Sequence, residues 1–428
     1  MTDHQSLSER FAAIRYIGDM IPTGGRGAPV APPTYIGEER GVPKFAYSAE
    51  HPVPDPASGY ARFLTDENGA HVLRPAVVIN SLGAEATGIE AAIFAGQEEL
   101  GVTLPGIFLN ADDYSDADLE GIAKKSLKKD NSQYTPETLA QALRFDLESA
   151  HASTWTTPHR HVDTYIRHAV IDGQQIWANP GSEVYSIIAQ ASQGRADLLF
   201  RYFPNSALMG FWLSSVAPRR HKLARALSST VQGYDAHEVV YGATKGDVLG
   251  GITSTTGMRR NAKTLELEPA AASKKTAPSA VGLGLVPTSP VTKAFSCSAI
   301  LRRSSISLTH LRHLSVPGNP EASTQIADVL AWMGVYGLLA TASEGFYRSG
   351  CDLVTGSENS SLTLIGRDGT ETPWDVSVED AAEGFRAAYA KLPEELRFAE
   401  PIKAGYPETI VAARADTLVA ESNTAEEE

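Results

Sequence analysis

Cysteine is nearly absent. Cys297 and Cys351 are the only two in 428 residues, too few for a disulfide framework or a cysteine zinc site. No apolar run reaches the length that spans a bilayer. The N-terminal MTDHQSLSERFAAIRYIGD is mixed in charge and lacks the uninterrupted apolar core of a signal peptide. There is no Walker A loop, no Gly-x-Ser-x-Gly elbow and no paired-carboxylate signature, and Gly282-Leu-Gly284 is too short for a dinucleotide fingerprint. No internal repeat is visible. These absences predict a reduced, cytoplasmic protein with no membrane contact and no cofactor, and they supply no catalytic motif.

What remains is the composition of an ordinary globular chain, 42% hydrophobic and 21% charged, which argues against a disordered polymer. The length allows two or three domains, or one domain with large insertions. The formal charge is −14 and is unevenly spread. Residues 201–313 hold 15 Lys or Arg against five Asp or Glu, while the rest of the chain holds 22 against 46. One basic island on an acidic chain is either a fluctuation of surface charge or a polyanion-binding face.

The island is densest at 219–225. There an apolar run ending in Gly210-Phe211-Trp212 gives way to Arg219, Arg220, His221, Lys222 and Arg225. Ser206 to Trp212 reads as a buried strand. Lys222 to Val231 reads as a helix with Leu223, Ala226, Leu227 and Val231 inward, so the cations would open a helix where free N–H groups already favour phosphate. Further on, Gly250 to Lys263 joins a Gly/Thr/Ser-rich stretch containing Thr253 to Arg259, Arg260 and Lys263. Amides and hydroxyls there can follow a phosphate chain while the cations neutralise it. Lys245, Arg302, Arg303 and Arg312 extend the island. Each cation taken alone reads as a solvated surface residue; their clustering favours binding.

The rest of the chain gives an irregular alternation of strands and helices with long interruptions, which predicts an α+β core decorated by insertions. Residues 20–35 are rich in Gly and Pro and read as an arm. Pro75–Asn80 reads as a buried strand, followed by a helix that ends at Gly101. Thr135-Pro136-Glu137 reads as a helix start with Leu139, Leu143 and Leu147 on one stripe. Asp172-Gly173 is a two-residue hairpin turn. Helical pattern runs from about Ser182 to Phe203 with a break near Gly194, residues 264–290 read as a mobile loop, and strands are expected at 292–301 and 351–354. A long apolar helix is expected at 322–341, and Ser377 caps another to about Lys391. The acidic tail 419–428 reads as disordered.

One constellation could hold a metal: His159, His161 and Asp163, with His168 further along. Imidazole and carboxylate suit zinc or iron, but His159 and His161 share a face only in an extended segment. The alternative is that these residues flank a hairpin and make hydrogen bonds. Asp112, Asp113, Asp116 and Asp118 could hold a divalent cation or form a solvated loop. A metal-dependent nuclease or hydrolase using His159, His161 and Asp163 is therefore the rival reading. A scaffold whose basic island meets an acidic protein is a third.

Several segments together resemble the backbone subunit of type I-G (formerly I-U) CRISPR surveillance complexes, a member of the RAMP superfamily of RNA-binding proteins. The proline-rich entry Ile21-Pro22 to Pro32-Pro33-Thr34-Tyr35 carries the resemblance. So do Pro158-His159-Arg160 with Asp163 and Arg167, and Ala207 to Trp212 followed by Lys222 to Leu227 and Gly233-Tyr234-Asp235. Gly282 to Pro287, Ile306 to Arg312, and Arg348-Ser-Gly-Cys351-Asp352-Leu353-Val354 continue it in order across about residues 20–355. The chain departs at Thr87-Gly88, where relatives tend to carry Asn-Arg, and at Gly350, often an arginine.

The resemblance implies an RRM-like (ferredoxin-like) palm over 71–355 with large insertions, including a thumb-like segment at about 243–290. Before it would come an N-terminal arm over 1–70, and after it an α/β extension over 356–418. It also implies a non-catalytic subunit that polymerises in several copies along a CRISPR guide RNA, grips its backbone without reading sequence, and leaves bases free to pair with target DNA beside the other subunits. Related type III backbone subunits cleave RNA with a loop aspartate; no residue here takes that role. The expected RNA-binding set is Arg160, Arg219, Arg220, His221, Lys222, Arg225, Lys245, Thr253, Arg259, Arg260, Lys263 and Arg302.

Overall fold

Strand β1 (Phe11–Pro22) runs through the middle of an eight-stranded sheet in the computed structural model of the chain. The structure describes residues 6–36, 44–128, 134–213, 221–242, 244–245, 258–260, 266–269, 286–287, 291–343 and 346–424. Arg219, Arg220, Thr253 and Lys263 lie outside the described residues. Lys245, Arg259 and Arg260 are described by their backbone strands alone.

The other principal elements are β2 (Tyr47–Pro52), β3 (Leu73–Asn80), α1 (Leu82–Ala95), β4 (Leu227–Tyr234), β5 (Ala299–Ser307), α2 (Pro320–Ser343) and β6 (Cys351–Gly366). The sheet order is Phe346–Arg348, β6, β1, β5, β4, β3, β2, with Glu371–Trp374 added to β6. Every neighbouring pair is antiparallel. Through these elements the chain follows β1–β2–β3–α1–β4–β5–α2–β6; β2 and β3 extend one end of the sheet, and the remaining four strands lie in the order β6-β1-β5-β4. The α1 start is set by Ser81, whose hydroxyl accepts from the Ala84 amide.

Both helices cover one face of the sheet. Ile14 and Tyr16 of β1, Leu227 of β4 and Ile306 of β5 pack there with Ile89 and Ile93 of α1 and Ile326, Leu330 and Met333 of α2. Gly337 lets the two helices meet closely, because a Cβ there would lie 2.7 Å from Ile93 Cγ1 and 2.8 Å from Ile89 Cγ2. Contrary to the sequence expectation, Pro320–Ala342 has the length and mean hydropathy to cross a membrane. Two thirds of it is buried inside the protein, so its apolar character serves the core.

Much of the expected secondary structure is present. The Asp172-Gly173 turn joins strands Val170–Ile171 and Gln174–Gln175 with both residues at positive φ, as a primed hairpin turn requires. Thr135 and Ser377 form capping boxes for helices Pro136–Ser149 and Val378–Ala390. Three expectations are overturned. Residues 204–209 form a short helix before strand Phe211–Leu213, and the expected helix over 222–231 is instead strand His221–Leu223 followed by β4. Leu223, Leu227 and Val231 recur every four residues, a spacing that is two strand periods as well as one helical turn. The tail is helical through Thr424, in the helix Glu408–Thr424.

The long connection between β4 and β5 is not wholly irregular. His237–Tyr241 pairs with Val291–Ser296, Thr244–Lys245 with Val286–Pro287, and Met258–Arg260 with Leu267–Pro269, all antiparallel and nested one inside the next. The C-terminal segment folds back on the N-terminal half: strand Ile402–Gly405 runs parallel to Ile107–Asn110.

Candidate nucleic-acid interface

The helix Pro204–Met209 ends at Gly210, whose φ of +74° turns the chain into strand Phe211–Leu213. A side chain at 210 would stand 2.6 Å from the Leu223 carbonyl, so only glycine permits this approach. Strand Phe211–Leu213 pairs with His221–Leu223, setting Trp212 opposite Lys222. The alternation buries Phe211 and Leu213 and leaves Trp212 72% exposed. This hairpin, the start of α1 and the segment Trp155–Arg160 enclose a cleft of about 530 Å³.

Arg160 forms the floor of the cleft. Its φ is +56°, a left-handed conformation uncommon for a residue with a side chain. Its guanidinium donates to both Glu90 oxygens at 2.7 and 2.8 Å and to the Gly210 carbonyl at 3.2 Å. Glu90 also accepts from Asn205 at 2.8 Å. Burial pushes the Glu90 carboxyl up, and Arg160 and Asn205 pull it back. On the rim, Arg225 donates to the Leu82 carbonyl at the α1 start, at 2.9 Å. Desolvation and the neighbouring Arg160 charge lower its pKa. Lys222 and Arg225 are exposed, and His221 is half-buried.

Arg302 lies elsewhere, on β5 beneath α1. It is 1% exposed, its Nε stands 3.1 Å from Glu85, and its Nη2 donates to the Tyr347 hydroxyl at 2.6 Å. Glu85 also accepts from Asn80 and Ser229 at 2.6 and 2.7 Å. Arg160 and Arg302, expected at the RNA backbone, are thus buried partners of two α1 carboxylates. A phosphate could take either cation only by leaving a buried glutamate unpaired. Reading the sequence missed Glu85 and Glu90. The available signal was two carboxylates in the otherwise small and apolar LGAEATGIEAAIFA.

Other arginines of the island also hold backbone. Arg303 donates to the Tyr60 carbonyl and lies over Phe63, and Arg312 donates to the Ser8 and Phe11 carbonyls. Among the described residues, Arg225 is an exposed cation lining the cleft, Lys222 is exposed on the adjoining strand opposite Trp212, and Lys293 is exposed on strand Val291–Ser296.

The candidate metal residues do not converge. The His161 ring is fully buried, stacked on Phe203 and edge-on to Phe211, and its Nδ1 bonds the Ser206 hydroxyl at 2.7 Å. Burial, then the Arg160 and His221 charges, press its pKa down to about 3. Asp163 caps the helix Thr164–Arg167 by accepting from Tyr165 N, and it also accepts from His159 N. Among the described residues no group of three or more His, Cys, Asp or Glu is placed to hold a metal ion. The acidic set near Asp113 and Asp118 lines a separate cavity with Asp172 and Glu408.

Residues 15–238 match the model of a family described as CRISPR-associated protein GSU0053. No curated protein matches the chain. A chain of the solved structure "CRISPR RNA-guided surveillance complex, pre-nicking" aligns over 96% of this chain and 100% of its own length, at 10% identity and a TM-score of 0.31. At that score the similarity carries no argument about fold or mechanism.

Proposed function

We propose that this chain, which belongs to the CRISPR-associated protein GSU0053 family, is a non-catalytic subunit that binds the backbone of a CRISPR guide RNA. It would do so in several copies within a type I-G surveillance complex, leaving the guide bases free to pair with target DNA. The observation that carries the reading is the cleft beside the Phe211–Leu213 hairpin. There exposed Arg225 lines the cleft above a floor held by the Arg160–Glu90 pair, with exposed Lys222 on the adjoining strand opposite Trp212, in a chain that is acidic as a whole. Cations on a rigid support position phosphates without reading bases.

Two further observations support it. With β2 and β3 set aside as additions between β1 and α1, the succession β1–α1–β4–β5–α2–β6 and the strand order β6-β1-β5-β4 support a βαββαβ, ferredoxin-like (RRM-like) palm. The nested ladders between β4 and β5 fit a thumb carried on that palm. His161 stacks in an aromatic core and Asp163 caps a helix, while His159 is exposed at the cleft, so the three do not form one site and the nuclease reading is disfavoured.

The test is RNA binding by the purified chain over a range of salt. Lys222→Glu with Arg225→Glu is expected to weaken binding to RNAs of unrelated sequence by similar factors. It should flatten the slope of log affinity against log salt by ~0.7 for each phosphate that the variant no longer neutralises. Unchanged affinity and slope in the double variant would remove the cleft from the interface.

A further inference from the structure

We propose that Trp212 is a stacking platform for one base of the bound RNA strand, beside its cross-strand partner Lys222 and in the cleft that Arg225 also lines. The proposal rests on the RNA-binding reading of the cleft and adds a base contact that this reading does not require.

Tryptophan is highly buried on average in folded chains, yet Trp212 is 72% exposed. The exposure is built into the fold. Phe211 and Leu213 on either side are buried, and a register slip that hid the indole would expel both of them. Lys222 is its cross-strand partner. Arg225 lines the same cleft, and Thr156, Thr157 and His159 line it too.

An exposed indole that shares its cleft with Arg225 and the hydroxyls of Thr156 and Thr157 fits a flat base whose edges are polar and whose two neighbours are phosphates. The cleft, about 530 Å³, falls within the range of sites that accept small ligands. Stacking also suits a protein that must not read sequence, because every base has a π-face.

The experiment compares full-length wild type, Trp212→Ala and Trp212→Phe, with folding checked by circular dichroism. Each is titrated with fluorescein-labelled oligouridine and with an abasic oligoribonucleotide of equal length, over a range of salt. Trp212→Ala should bind oligouridine about 5- to 150-fold more weakly with an unchanged salt slope. Trp212→Phe should recover most of the affinity, and the abasic strand should bind wild type and Trp212→Ala equally. If Trp212→Ala binds oligouridine like wild type, or is weakened towards the abasic strand to the same extent, stacking is wrong while RNA binding stands. If wild type binds neither strand, the RNA reading itself fails and the stacking proposal goes with it.

Discussion

The His161 imidazole is enclosed by Phe203 and Phe211, with both ring centroids 4.5 Å away, and burial holds its pKa at about 3. In an unfolded chain the same group titrates near ~6.5. The folded pKa is depressed, so the unfolded state takes up the proton first as pH falls. Stability is complete above pH ~6.5 and declines between ~6.5 and 3, by ~1.4 kcal/mol per pH unit. Between pH 7.5 and 5.0 this group should remove ~2 kcal/mol from the unfolding free energy. Urea unfolding at the two pH values should show that decrease in wild type, and a pH dependence smaller by the same amount in His161→Phe. Identical pH dependence in the two proteins would mean that His161 is not held neutral by its site. Cys297 and Cys351 are buried as well, their thiols pushed up to about 12 and about 11. The Cys-Asp-Leu-Val segment therefore contributes packing at neutral pH and not thiolate chemistry.

Helix α1 is fastened on two sides, by Glu85 to Arg302 and by Glu90 to Arg160. Glu90→Ala would leave Arg160 buried without a counter-charge, and breaking such a pair costs ~3–5 kcal/mol. Glu90→Leu combined with Arg160→Met replaces both charges with apolar groups and should cost less than the single change. Denaturant unfolding measures both variants; a Glu90→Ala protein within ~1 kcal/mol of wild type would show that the pair behaves like an exposed one. This fastening was not legible in the sequence, because the Arg160 partner lies 70 residues away and burial is a property of the fold. Caps and turns were legible because they are local: Thr135-Pro136, Ser377 and Asp172-Gly173 carry their geometry within four residues. Period was legible only where it was unambiguous. The four-residue spacing of Leu223, Leu227 and Val231 suited helix and strand alike, and pairing with β5 and β3 decided for strand. The cleft was half legible for the same reason. Lys222 and Arg225 were named from charge and Arg160 from the resemblance, but which of them reaches solvent depends on α1 and the hairpin.

Charge organises the molecule as a whole. The chain carries −14, so free copies repel one another, while the basic stretch that includes Lys222 and Arg225 is concentrated within residues 201–313. Under the proposed function, the RNA attracts the basic stretch of each copy and so holds copies side by side against the mutual repulsion of their net negative charge, and its length sets how many can bind. The expected result from native mass spectrometry at low salt is a monomer without RNA. With RNAs of increasing length, the protein mass bound to each RNA should grow in steps of one 45.7 kDa chain. Raising the salt should shorten the assemblies, because counterion release weakens every cation–phosphate pair. Oligomers that form without RNA, or a single copy bound whatever the RNA length, would each contradict assembly along a guide. The first result would place the cohesion between protein surfaces, where self-repulsion of chains carrying −14 each argues against it. The second would confine binding to one end or one structure of the RNA, which a backbone-binding cleft has no means to select.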